Sequence, residues 1–165
     1  MAEFIGQPAG HGRRFAVVAS RFNETITQRL AEGAIDALTR HGAAFEDIDL
    51  VWVPGAWELP VAARRLLASD RYVGVVAVGA VIRGDTPHFD YVAGEASRGL
   101  AEASAEFDRP IGFGLLTCDT VEQAEARAGG DHGNKGWDAA MAALEMVDLF
   151  DRLETDADSA EEDES

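Results

Sequence analysis

His88 stands where an apolar run gives way to a helical stretch, directly after Gly84-Asp85-Thr86-Pro87. A glycine turn, a threonine hydroxyl and the free amides of a helix start together supply the donors that hold a phosphate. An imidazole one step from such an anion exchanges protons near neutral pH. Elsewhere His88 would read as an ordinary surface or core histidine; its place in this turn favours the chemical reading. A second segment, from Arg127 through Ala128, Gly129, Gly130, Asp131, His132, Gly133 and Asn134 to Lys135, Gly136 and Trp137, holds the chain's sole lysine. Two cations in a protein of 14 basic and 30 acidic residues invite an anionic ligand. Compensation of a helix C-terminus is the competing reading of Arg127. The segment is no Walker loop, because its glycine spacing before Lys135 is wrong and Gly136 stands where Ser or Thr would hold magnesium.

Two more segments carry side chains suited to a flat, hydroxylated ligand. Ser20-Arg21-Phe22-Asn23 places an aromatic ring at a turn, where it either plugs the core edge or stacks on a planar ring. In Val53-Pro54-Gly55-Ala56-Trp57-Glu58-Leu59-Pro60, small residues let backbone approach a ligand, and amides at the next helix start are free to donate. Glu58 either accepts hydrogen bonds from sugar-like hydroxyls or stabilises a helix N-terminus with its charge.

The elements that position these groups follow from hydrophobic patterning. Apolar runs at 15–20, 49–53, 74–80 and 111–117 read as four strands, each followed by a helical stretch, the pattern of a parallel sheet covered on both faces. The fold class is α/β, a three-layer α/β/α sandwich around a four-stranded parallel sheet. Asn23 or Thr25 caps a first helix whose Ile26, Leu30, Ala34 and Leu38 form one buried stripe ending at His41-Gly42. Further helices are expected over 59–68 and 90–106, and over a short stretch opened by the capping box Thr120-Val121-Glu122-Gln123 that stops near Gly129-Gly130. A last helix is expected over 135–153. The chain divides into an N-terminal arm (1–14), one domain (15–153) and an acidic tail (154–165) expected to be mobile, since it cannot bury enough apolar surface to order itself. Ligands of open parallel sheets bind beyond the carboxyl ends of the strands, where the four segments lie.

Composition excludes several classes. The charge of −16 is uneven: residues 151–165 carry eight carboxylates and one arginine, a net −7, leaving −9 on the first 150. A nucleic-acid partner requires basic stripes and is not expected. The excess acid keeps an assembly soluble or reflects a salty cytoplasm. No apolar run reaches the ~18 residues of a membrane span, and residues 1–14 do not read as a secretory signal, so a cytoplasmic protein is expected. The Asn23-Glu24-Thr25 sequon then means nothing. A single cysteine, Cys118, excludes an internal disulfide and reads as a buried filler at a strand end.

Four segments in this order, Arg21-Phe22-Asn23, Pro54-Gly55-Ala56-Trp57-Glu58, Gly84-Asp85-Thr86-Pro87-His88-Phe89-Asp90-Tyr91, and Arg127-Ala128-Gly129 with Gly133-Asn134-Lys135-Gly136, resemble the lumazine synthase family over residues 14–149. The resemblance implies a flavodoxin-like fold and an enzyme that condenses 5-amino-6-(D-ribitylamino)uracil with 3,4-dihydroxy-2-butanone 4-phosphate, releasing phosphate and water, in riboflavin biosynthesis. It implies no cofactor and no metal. Phe22 would stack on the pyrimidine, with Asn23, Ala56, Trp57 and Glu58 around the ring and the ribityl hydroxyls, and backbone contacts from Ala80, Val81 and Ile82. Gly84, Asp85 and Thr86 fall on the phosphate site, and His88 on the proton-transfer residue. A neighbouring subunit would supply Phe113, expected at the end of the fourth strand, with Arg127 and Lys135 for the phosphate. The implied order is attack of the 5-amino group on the ketone to give an imine, loss of phosphate, then ring closure with loss of water.

Where many relatives carry a small uncharged residue, this chain has Asp85. A carboxylate beside a phosphate is repulsive unless paired. A backbone contact to the phosphate, with the Asp85 side chain capping the next helix, is therefore expected. Trp57, where some relatives have Phe, changes little. The resemblance also implies a pentamer, and the short connection 129–134 suits the type that closes twelve pentamers into a 60-subunit shell. Riboflavin synthase is the protein partner it implies. The arm before Arg14 would add an edge strand to a neighbour's sheet. Two other classes remain in view: a flavin-binding module on the same fold and a purely structural shell protein. Phe22, Trp57 and Glu58 without His88 and Arg127 would favour the module; here all five are present.

Overall fold

Four parallel strands make the central sheet of the computed structural model, which describes residues 1–163. They are β1 (Phe15–Ser20), β2 (Ile48–Val53), β3 (Gly74–Ile82) and β4 (Ile111–Cys118), in spatial order β2-β1-β3-β4. Continuous apolar runs form these strands because both faces are covered, as expected of a parallel sheet. Helices α1 (Glu24–Arg40) and α5 (Lys135–Asp163) cover one face, and α2 (Leu59–Ala68) and α3 (His88–Phe107) the other. Alternate residues divide accordingly. Phe15, Val17 and Ala19 of β1 pack with Leu30, Ala34 and Leu38 of α1 and Leu144 of α5. Ala16 and Val18 pack with Leu59, Ala63 and Leu67 of α2 and Ala96 and Leu100 of α3. Each large aliphatic chain buried this way contributes roughly 1.5–3 kcal/mol. The result is the expected three-layer α/β/α sandwich.

Between β4 and α5 runs the short helix α4 (Val121–Ala126), followed by an antiparallel hairpin of β5 (Ala128–Gly130) and β6 (Gly133–Asn134). The Thr120 hydroxyl accepts from the Gln123 N–H at 3.2 Å, as the capping box predicts. Gly129 and Gly133, at φ of +97° and +76°, make the tight reversal that a side chain would strain. The start of α5 then presses on α1 so closely that a Cβ at Gly136 would collide with the Leu30 carbonyl. Asn134 locks this junction: its amide donates to the Arg29 carbonyl at 3.0 Å, and its Oδ1 accepts from the Gly136 and Trp137 N–H groups.

Two features differ from expectation, the length of α5 and the conformation of Asn23, and the N-terminal arm packs on its own chain. Helix α5 continues to Asp163, past the expected end at 153 and through most of the segment expected to be mobile. Beyond Gly136 no glycine or proline occurs in it, and Thr155 and Ser159 each donate to the carbonyl four residues back, at 2.8 and 2.9 Å. Its last turns are exposed, so local bonds rather than burial hold them. Residues 164 and 165 of the expected tail lie outside the described residues. The arm 1–14 carries no strand within the single chain. It lies along α5, where the Gln7 N–H donates to Asp148 at 2.7 Å and Arg13 reaches both Asp148 and Asp151. Finally, Asn23 precedes α1 in the left-handed conformation (φ 60°, ψ 46°) and its side chain does not cap the helix.

Two carboxylates tie distant parts of the chain. Asp148 is held below the usual carboxylate range by its bond from Arg152, then by those from the Gln7 N–H and Arg13. Asp49, at the opposite end of the sheet from the cleft described below, is lowered by the Tyr72 hydroxyl and by Arg14. A carboxylate whose pKa is depressed on folding adds stability above its unfolded pKa, near 4, and loses that contribution as pH falls through its folded value. We predict that the melting temperature of Asp148→Asn lies below that of the wild type at neutral pH, and that the gap closes below about pH 4. Thermal melts across pH 2–7 check this; a gap that stays constant into acid would contradict the ion-paired role of Asp148.

Candidate active site

The crossing from β1 to β3, where connections leave the sheet in opposite directions, is the topological switch point at which such sheets bind ligands. A cleft of about 840 Å³ opens there, walled by the segments that follow β1, β2 and β3. After β1, the backbone amides of Arg21 and Phe22 donate to Val53 and Pro54 carbonyls at 2.8 and 3.1 Å, stitching this loop to the end of β2. On the other side, the Asn23 amide donates to the Ala80 carbonyl of β3 at 3.0 Å. The Phe22 ring, fixed from both sides, stands 71% exposed at the cleft mouth rather than plugging the core. Asn23, expected as a helix cap and as a ligand contact, instead spends its side chain on this tether and does not line the cleft.

After β2, Ala56–Glu58 forms a 3-10 turn. Both readings of Glu58 meet here: one carboxylate oxygen accepts from the Gly55 N–H at 3.0 Å at the helix start, and the residue also lines the cleft. Trp57 beside it is 58% exposed. Ala80, Val81 and Ile82 at the end of β3 form the floor, and Gly84, Thr86 and His88 continue the wall. Helix α3 starts at His88, two residues earlier than expected, so the imidazole rides on the first residue of a helix. Asp85 is exposed, is not among the lining residues and does not cap α3; the cap position belongs to Pro87, which has no side chain to accept with. Sequence reasoning missed Phe89, Tyr91 and Val92, which line the cleft from the first turns of α3. Their place on the same helix as His88 was the available signal.

The remaining expected residues lie elsewhere in the single chain. Phe113 is the third residue of β4, paired with Ala77, and not at the strand end as expected. It is 43% exposed in a groove with Leu100 and Ala101 of α3 and Phe150 of α5. Arg127 closes α4, and its guanidinium donates to the Gln123 carbonyl at 3.0 Å, the helix-end role. The Lys135 N–H donates to the Arg127 carbonyl at 2.8 Å, so the two cationic residues meet at the base of the β5-β6 hairpin. Neither lines the cleft. Among the described residues, those lining the cleft include no Arg or Lys, and the one carboxylate is Glu58. Cys118 is buried at the end of β4, where burial pushes its thiol pKa up.

One chain therefore offers an apolar slot with exposed aromatic rings, backbone donors at two helix starts and an imidazole at its wall. Such a slot can hold a flat heterocycle and serve proton transfer. No group of three or more potential metal-ligating side chains occurs among the described residues, and no helix there is long and apolar enough to cross a membrane.

Comparison with known proteins identifies the family. The family model of 6,7-dimethyl-8-ribityllumazine synthase matches residues 12–151. A protein of that name from Gemmatimonas aurantiaca is 71% identical over 152 residues, covering 92% of this chain and 93% of the relative. Another from Aquifex aeolicus is 54% identical over 153 residues, 93% of this chain and 99% of the relative. A third, from Syntrophus aciditrophicus, is 54% identical over 148 residues, 90% and 96% of the two chains. With the family model spanning most of its length and relatives this similar, the chain belongs to the 6,7-dimethyl-8-ribityllumazine synthase family.

Proposed function

We propose that this protein condenses 5-amino-6-(D-ribitylamino)uracil with 3,4-dihydroxy-2-butanone 4-phosphate, and that it does so in clefts completed by a neighbouring copy of the chain. The observation that carries this reading is the separation of charge: among the described residues, a slot suited to a heterocycle is lined by no Arg or Lys, while Arg127 and Lys135 stand together outside it. A phosphate that departs as an anion needs fixed positive charge, which a second chain supplies by setting its hairpin against the strand ends of the first. In this reading Phe113, half-exposed on the edge strand, closes over the ring from that same neighbour.

In this account the pyrimidine stacks on Phe22, and Trp57 and Glu58 face the ring and the ribityl chain. Gly84 and Thr86 meet the phosphate. The 5-amino group attacks the ketone carbonyl, and loss of water gives the imine. His88 moves protons during this step and during expulsion of phosphate, which Arg127 and Lys135 of the neighbour stabilise. The ribitylamino nitrogen then closes the second ring, and a second water leaves. Holding both reactants in one slot supplies much of the rate, with effective molarities on the order of 10⁵ M or more. The Asp85 carboxylate, lying off the cleft lining, leaves the phosphate site to backbone donors and the Thr86 hydroxyl.

The working form is a cytoplasmic homo-oligomer: a pentamer, twelve of which close into a 60-subunit shell, with riboflavin synthase as its protein partner. The six-residue connection 129–134, folded into a tight hairpin, supports the shell-forming type.

Incubation with the two substrates, followed by absorbance of the lumazine product, tests the function. Turnover supports it; tight flavin binding without turnover would select a storage module, and neither would select a structural shell protein. His88→Ala is expected to lower kcat by about 10²-fold, the worth of a positioned proton-transfer group, with pyrimidine binding largely intact. Unchanged turnover would remove His88 from the mechanism. Arg127→Ala is expected to impair use of the ketone phosphate by about 10²-fold or more. A defect confined to the Michaelis constant for the uracil would contradict that assignment.

A further inference from the structure

Arg83 is a residue to which the reading of the cleft gives no role, and it makes more connections than any neighbour in its turn. Its backbone N–H donates to the Cys118 carbonyl at 2.9 Å, extending the β3·β4 ladder one residue beyond β3. From that anchored point its guanidinium lies over the Phe89 ring, 4.4 Å from the centroid. Its Nε donates to Asp119 at 2.8 Å, and a terminal nitrogen stands 3.6 Å from Asp90. One side chain thus joins the ends of β3 and β4 to the first turn of α3.

Among the described residues, no side chain caps that first turn. Pro87 occupies the cap position and provides no side-chain hydrogen bond, so the start of α3 lacks the acceptor that ordinarily fixes a helix entry. Consecutive helical residues are separated by a fixed rotation of about 100° around the axis, so holding Phe89 also sets the direction of His88. Phe89 is nearly buried and lines the cleft, which makes it a lever between the clamp and the imidazole. The planar guanidinium suits this task, since it stacks on a ring and bonds to carboxylates at the same time, as an ammonium cannot. Engagement with Asp90 and Asp119 also assigns Arg83 to the turn rather than to a bound anion.

We propose that Arg83 is a positioning residue: by clamping Phe89 and Asp90 to the end of β4 through Asp119, it aims His88 into the cleft. The inference rests on the reading of His88 as the proton-transfer group. Chemistry sensitive to sub-ångström placement then depends on a side chain that touches no substrate.

The test is a double-mutant cycle on the full chain, with steady-state kinetics of lumazine formation for the wild type, Arg83→Met, His88→Ala and the double variant. Arg83→Met is expected to lower kcat about tenfold while the Michaelis constant for the uracil stays within about twofold. In the His88→Ala background the same substitution is expected to change kcat by less than about twofold, because nothing remains to be aimed. An undiminished loss in that background, or an unchanged kcat for Arg83→Met, overturns the positioning role. An unchanged kcat for His88→Ala would instead overturn the reading of His88 itself. Asp119→Asn covers the case in which Arg83→Met fails to fold. A partial loss of kcat that disappears in the His88→Ala background supports the proposal, and no loss, or one that persists there, overturns it.

Discussion

A phosphate leaving an ester must find fixed positive charge as its own negative charge develops, and the cleft at the strand ends has no arginine or lysine among its described lining residues. This constraint orders the rest of the structure. The slot's carboxylate, Glu58, turns one oxygen to the Gly55 amide. Arg83, the arginine nearest in sequence to His88, is committed to Asp119 and Asp90. The chain's sole lysine and Arg127 are gathered at the hairpin beyond β4, joined through a backbone bond. A protein of net charge −16 thus keeps a compact cationic feature away from its own slot.

Placement of the slot's own groups relies on bonds between loops. Phe22 is held by backbone donation to the end of β2 and by the Asn23 tether to β3, so an exposed aromatic ring keeps a defined place. The left-handed backbone at Asn23 is a modest local cost, and asparagine is among the few residues that adopt it readily. On the other wall, His88 opens a helix that lacks a side-chain cap. Both walls depend on polar side chains that reach across strands, and the sheet supplies the fixed points.

Much of this was legible in the sequence because burial leaves a plain signature. The strands were readable as unbroken apolar runs, and the stripe Ile26, Leu30, Ala34 and Leu38 gave α1 its buried face. Strand ends were legible as the place for the site, since the sheet is parallel and its ligands bind there. What escaped was set by partners far away along the chain. Nothing near Asn23 announces a bond to Ala80, 57 residues on, and nothing near Arg83 announces Asp119. The β5-β6 hairpin is too short for a periodic signal, although the glycines at 129 and 133 mark its reversal. Family resemblance puts Phe113 at a strand end, yet it lies near the start of β4, in a groove with Leu100 and Ala101 of α3. The acidic end of α5 has little apolar surface to bury; it is helical through local hydrogen bonds, which composition alone does not reveal.

The shared cleft is tested most directly by mixing two inactive chains. His88→Ala and Arg127→Ala proteins are unfolded together, refolded as a 1:1 mixture and assayed against each variant refolded alone. If each site takes its imidazole from one chain and its guanidinium from the next around a ring, about a quarter of the sites in random mixed assemblies carry both intact groups, and activity returns toward that fraction of the wild type. If both groups act within one chain, no mixed site is whole, and activity stays at the level of the separate variants.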